Sequence, residues 1–170
     1  MFKCICGLLQ TYDGQILIGS NDRKKHSSRI PQIGMIIEAP GFVSGYNGFT
    51  NLKFLADIKK GASSKEIIEA MRLVGLDPFS KKHVEKYSMG MRQRLGIAQA
   101  IMEDPSLIVL DEPMNGLDNG GVTEMRKLFK NLRAAGKTLI LASHNPLDID
   151  ELCDTVHEMD AGILRPSFAN

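Results

Sequence analysis

With 170 residues, 43% of them hydrophobic and 24% charged, the chain is long enough for one domain with a sizeable core. Its 21 Lys and Arg against 20 Asp and Glu leave a formal charge of +1, which excludes a bulk electrostatic pull toward nucleic acid or anionic membrane. Three cysteines are too few for a disulfide framework, and no apolar run approaches membrane-spanning length or forms a cleavable signal, so a reduced, cytosolic setting is expected.

The chain starts with a compact apolar stretch, Met1 to Leu9. Cys4 and Cys6 read as small apolar helix residues, because a metal pair at that spacing lacks its second half. Thr11 to Gly14 makes a turn into a short strand, Gln15 to Ile18. Asn21 to Ser28 is polar and basic (Arg23, Lys24, Lys25, His26) and reads as a solvated loop with, at most, a weak contact to a nucleotide base. Ile30 to Glu38 contains an apolar strand that ends at an acid, and Gly41 to Thr50 reads as a flexible, glycine- and aromatic-rich connector. Asn51–Lys60 and Ser64–Gly75 are predicted helices. Ser63 or Ser64 caps the second, with Ile67, Ile68, Met71 and Val74 as its apolar face. Asp77-Pro78 ends the pair, and Lys81, Lys82, His83 and Lys86 form a polar approach to Tyr87.

Ser88 to Asp118 is the most informative stretch. Leu95, Ala98 and Met102 recur at helical spacing from Met91, with Arg92, Arg94 and Gln99 elsewhere on the wheel. Asp104-Pro105 ends that helix, since the residue before proline is pushed out of the α region. Leu107 to Leu110 is an unbroken apolar run, the mark of a parallel strand covered on both faces. Asp111 and Glu112 follow, and strand alternation points them to opposite sides. One can then hold a hydrated magnesium ion while the other faces a nucleophilic water. The alternative is a strand ending in solvent with two ordinary acids.

Gly121 to Ala135 is a predicted amphipathic helix with Val122, Met125, Phe129 and Leu132 inward, and Thr138 to Ala142 a second buried strand. Strand, helix and strand at this length make a parallel crossover. His144 follows the strand directly, beside the other strand ends, where a ligand role outweighs the usual structural one. A short helix at Asp148 to Cys153 and a hairpin from Thr155 to Leu164 close the chain, with His157 in a packing or surface role.

The order of these motifs resembles the ATP-binding domain of ATP-binding cassette (ABC) transporters. Ser88-Met89-Gly90-Met91-Arg92-Gln93-Arg94 is similar to the family's Leu-Ser-Gly-Gly-Gln signature, with Tyr87, Met89 and Met91 departing from it. Leu107 to Glu112 resembles Walker B, Asn115 to Asp118 the D-loop and His144 the switch histidine. Glu38, in a Glu-Ala-Pro-Gly-Phe sequence like that of bacitracin-type peptide-antibiotic exporters, stands where the family often has the Q-loop glutamine.

The resemblance implies an α/β fold of P-loop NTPase type, a mostly parallel sheet with an inserted helical subdomain. Residues 1–38 and 104–170 would be the RecA-like core and 39–103 the helical subdomain, which in the family docks on a transmembrane permease. It also implies ATP hydrolysis by in-line attack of water, with ATP and Mg²⁺ bound. Asp111 and Glu38 would meet the metal, with Glu112, His144 and Glu38 acting catalytically. Ser88, Gly90, Met91 and Asp118 would contact the nucleotide across a homo- or heterodimer. Such a subunit works in the cytoplasm, peripheral on the inner membrane face, and no nucleic-acid partner is expected.

No Gly-x4-Gly-Lys-Ser/Thr phosphate loop occurs within the 170 residues. Gly136-Lys137-Thr138 has only its tail, between a helix and a strand rather than the reverse, so Gly136 reads as a helix C′ residue. The resemblance places Met1 just past that loop and its strand, so the chain is expected to be a truncated subunit with little ATP affinity alone. Two other readings are a non-hydrolysing partner that lends its signature half-site, and a soluble ABC protein acting on nucleic acid or translation.

Overall fold

The computed structural model describes residues 1–10, 13–19, 21–22, 32–38, 40–59 and 61–167. The basic run Arg23 to His26, the strand start at Ile30-Pro31 and the last three residues lie outside them. Helix α1 (Phe2–Ile5) precedes a two-residue antiparallel ribbon, β1 (Leu17–Ile18) with β2 (Asn21–Asp22), shorter than the strand expected from Gln15. Strand β3 (Ile33–Ile36) leads to helices α2 (Gly48–Lys59) and α3 (Ser64–Leu73), a 3-10 turn at Val84–Lys86, and helix α4 (Met89–Ile101). Then come β4 (Leu107–Asp111), α5 (Asn119–Ala134), β5 (Thr138–Ala142), α6 (Pro146–Leu152) and the hairpin β6 (Val156–Asp160) with β7 (Ile163–Ser167).

The central sheet is parallel, in the order β3-β4-β5. Four consecutive residues of β4, Leu107 to Leu110, are buried, as a strand covered on both faces requires. Strand β5 differs from the expectation of a second buried strand: Leu139 to Ala142 are only half covered, because among the described residues nothing pairs with its outer edge.

Helix α4 is the centre of the packing. Gln93, Leu95, Gly96, Ile97, Ala98, Ala100 and Ile101 are all buried, so it is covered nearly all round rather than along the single face that its periodicity suggested. Its last turn packs on β3, where Gly34 leaves room for the Ala100 carbonyl. The helix ends at Ile101, and Asp104, held before Pro105, leaves the right-handed region at φ 49°.

Local signals explain most helix boundaries. Ser63 caps α3 in a full capping box: its hydroxyl accepts from Glu66 N–H at 3.3 Å and Glu66 accepts from Ser63 N–H at 2.7 Å. Helix α5 closes in a Schellman motif, with Gly136 N–H donating to Arg133 O and Lys137 N–H to Leu132 O. Gly136 sits at φ 83°, which settles it as a C′ glycine. The buried face of α5 is Gly121, Met125, Leu128 and Phe129, while Val122 and Leu132 are half covered.

The segment before α2 is more ordered than a flexible connector. Helix α2 already begins at Gly48, and Asn51, 3% exposed, sews the preceding chain to it. Its Oδ1 accepts from Val43 N–H at 2.7 Å, and its Nδ2 donates to the carbonyls of Val43, Tyr46 and Asn47. A buried amide satisfied in this way fixes a loop that composition alone suggests is loose.

Candidate functional site

Parallel pairing sets the level of the strand ends. Ile36 is opposite Leu110, and Asp111 is opposite Ala142. Glu38, Asp111, Glu112 and His144 thus emerge together at the carboxyl edge of the sheet, the edge where open α/β sheets bind ligands. All four line one open groove of about 1000 Å³, together with Lys3 from α1, and the groove runs on along β5 past Lys130, Arg133 and Lys137, each paired with an acid.

The carboxylates are not arranged by strand alternation as expected. Strand β4 stops at Asp111, and Glu112 turns into the left-handed region at φ 47°. Its N–H still reaches Ala142 O at 3.0 Å, so β5 holds the backbone while the side chain turns toward His144. Glu38 is also left-handed, at φ 62°. Such conformations cost an L-residue about 1–3 kcal/mol and persist only where the surroundings impose them.

Two contacts organise the charges. His144 Nδ1 lies 2.9 Å from Glu112 Oε1. The hydrogen bond to Glu112, and then its charge, raise the imidazole pKa above its ordinary value. Lys3 Nζ donates to Glu38 Oε1 at 2.6 Å, and this bond and the ammonium charge lower the Glu38 pKa. Sequence reasoning missed Lys3, because nothing in Met1 to Leu9 marks one lysine as facing an acid 35 residues away.

Asp111 and Glu38 offer hard carboxylate oxygens to the groove, the donors that Mg²⁺ takes. Among the described residues no group of three or more His, Cys, Asp or Glu could hold a metal by itself. That donor set fits an ion whose shell is completed by water and phosphate oxygens.

Ser88, Gly90, Met91 and Asp118 do not line the groove; they sit at the starts of α4 and α5. Ser88 Oγ accepts from Met91 N–H at 3.2 Å, and Asp118 Oδ1 accepts from Gly121 N–H at 2.7 Å. The start of α4 touches the loop before α5, since a Cβ added at Gly90 would lie 2.8 Å from Gly116 O. A second missed residue connects this region to the groove. Gln93, 9% exposed, donates through Nε2 to Glu112 O at 3.3 Å and Pro113 O at 3.0 Å. A glutamine one turn inside a predicted helix carries no sign of such a partner.

The family model for ABC transporters matches residues 1–115. The chain belongs to the ABC transporter family. It is 40% identical over 167 residues to the uncharacterized ABC transporter ATP-binding protein YybJ of Bacillus subtilis, covering 98% of this chain and 77% of that one. It is 40% identical to the bacitracin transport ATP-binding protein BcrA of Enterococcus faecalis, over 89% of this chain and 50% of that protein. The lantibiotic transport ATP-binding protein SrtF of Streptococcus pyogenes is 32% identical over 92% of this chain and 67% of its own length. The chain therefore spans about half to three quarters of these ABC relatives. Its fold is that of ABC cassettes: a dimeric post-hydrolysis ATP-binding cassette, MJ0796, bound to ADP and Pi superimposes with a TM-score of 0.83 at 19% identity, covering 96% of this chain and 78% of that one. No helix among the described residues is long and apolar enough to cross a membrane.

Proposed function

We propose that the chain is the ATP-binding, ATP-hydrolysing part of an ABC exporter for a peptide or antibiotic-like substrate. The observation that carries this reading is the shared groove of Glu38, Asp111, Glu112 and His144 at the strand ends. Relatives that serve bacitracin and lantibiotic transport support the substrate class.

Residues 1–38 and 104–170 form the catalytic core in this reading, and 39–103 the helical subdomain that meets a transmembrane permease at the cytoplasmic membrane face. Asp111 and Glu38 would hold Mg²⁺, which when bound would neutralise charge on the triphosphate. Glu112 orients and polarises the attacking water, and His144 donates to the γ-phosphate from beside it. Ser88, Gly90 and Met91, with the N-terminus of α4, form an anion site for the nucleotide of a second subunit, and Asp118 crosses the same interface. That second cassette is either another copy or a related chain. No nucleic-acid partner belongs to this scheme.

The 170 residues hold no Gly-x4-Gly-Lys-Ser/Thr sequence, and backbone N–H groups of such a loop supply much of the phosphate binding. The isolated chain is therefore expected to bind ATP weakly and to hydrolyse little. Calorimetric titration of Mg-ATP into the 170-residue chain checks this: micromolar affinity overturns the expectation of weakness. Mixing the chain with a complete cassette subunit checks the half-site. ATPase activity that disappears with Ser88→Arg supports it, and activity indifferent to that change refutes it.

A further inference from the structure

We infer that Arg126 and the buried carboxylate of Asp148 form a clamp that positions His144 against Glu112. The functional meaning of the clamp rests on the proposed role of His144 at the phosphate site. His144 cannot be held by packing, since its side chain is 78% exposed. Its neighbours are held instead. Asp148, 1% exposed, accepts Arg126 Nε–H and Nη2–H on Oδ1 at 2.8 and 2.6 Å. Its other oxygen, Oδ2, accepts the Ser143 hydroxyl at 2.9 Å. That same hydroxyl oxygen accepts Asn145 N–H at 3.1 Å. Ser143 is thus tied to a carboxylate that α5 grips through a planar guanidinium, and Asn145 is tied to Ser143.

A clamp that only joined α5 to α6 would not need the serine. Arg126 Nη1 already reaches Glu151 Oε1 at 3.1 Å, and Lys130 Nζ reaches Glu151 Oε2 at 2.6 Å. Nor is a buried ion pair an efficient source of stability, because apolar residues of similar volume often serve as well. What the fork geometry of arginine contributes is direction. Its two N–H groups converge on Oδ1 of Asp148, which leaves Oδ2 turned to Ser143 and the turn that carries His144. Arg126 and Asp148 are positioning residues; neither lines the groove.

The test uses ¹⁵N-labelled imidazole spectra of the 170-residue chain at one pH and without nucleotide, with the His144 signals assigned against His144→Gln. The wild-type chain is expected to show a protonated Nδ1, because that nitrogen donates to Glu112. Glu112→Ala gives the reference for an unanchored ring. Ser143→Ala and Arg126→Met are expected to lose the Nδ1 signature and move His144 to that reference. Arg126→Lys, which keeps the charge but not the fork, moves it the same way. Ser143→Ala leaves the ion pair intact, so it carries the test alone if Arg126→Met fails to fold. His144 signals unchanged from wild type in folded Ser143→Ala overturn the clamp. Because no nucleotide is present, a failure to bind ATP counts against the proposed function and leaves this result standing.

Discussion

Replacing Gly34 with alanine tests how tightly β3 is packed against α4. A Cβ at residue 34 would lie 1.9 Å from Ala100 O and 2.8 Å from Pro105 Cγ, where ordinary contact begins at 3.4 Å. Both walls are backbone or ring, so no rotamer change relieves the clash. Helix α4 has to retreat from β3 by about 1.5 Å, which also loosens Ile97, Ala100 and Ile101. Overpacking of this kind costs about 1–3 kcal/mol, and the absence of a yielding side chain puts it at the upper end. With a urea slope of about 2 kcal/mol/M, the unfolding midpoint falls by about 1–1.5 M. Gly41→Ala is the control, since nothing lies within 4 Å of its added Cβ. A Gly34→Ala midpoint equal to that of Gly41→Ala refutes the claimed contact.

The remaining predictions concern the carboxyl edge of the sheet. His144 has a folded-state pKa raised by Glu112, so its contribution to stability is complete below the unfolded value of about 6.5 and is lost as pH rises through the folded value. Glu112→Gln should flatten the pH dependence of the melting temperature above that point, and an unaltered profile counts against the pair. Gln93→Leu leaves the Glu112 and Pro113 carbonyls without their buried donor, at a cost of about 1–3 kcal/mol, or about 2–10 °C in melting temperature. Melting within a degree of wild type would mean that those bonds contribute nothing. Glu112→Gly should be more stable than Glu112→Ala by about 1 kcal/mol, because only glycine adopts φ 47° without strain. Equal denaturation midpoints for the two would remove the strain argument.

Much of this edge is legible in the chain itself. The run Leu107 to Leu110 announces a strand buried on both faces, and acids or a histidine directly after three strands announce a shared rim. Local chemistry accounts for the capping serine at residue 63 and the helix-ending glycine at 136. What escapes is any feature set by partners far apart in sequence. Lys3 and Glu38 are 35 residues apart, Gln93 and Pro113 are 20, and Arg126 and Asp148 are 22. Each looks like an ordinary polar residue until the chain is folded. The half-covered state of β5 escapes for a different reason: an apolar strand reads as buried whether or not another element completes its edge.

These long-range contacts give the strained acid at residue 112 its support. Its N–H is held by Ala142 O, its carbonyl by Gln93, and its carboxylate by His144. The three partners come from β5, α4 and the turn before α6, so Glu112 stays left-handed only while all three elements keep their places. The start of α4 is therefore joined to the groove through the body of its own helix. A displacement of α4 moves Gln93, and with it the backbone of Glu112, without passing through solvent. In the proposed function, binding at the Ser88 end and the geometry of the Glu112–His144 pair are then one mechanical problem, with the buried amide of Gln93 as the joint.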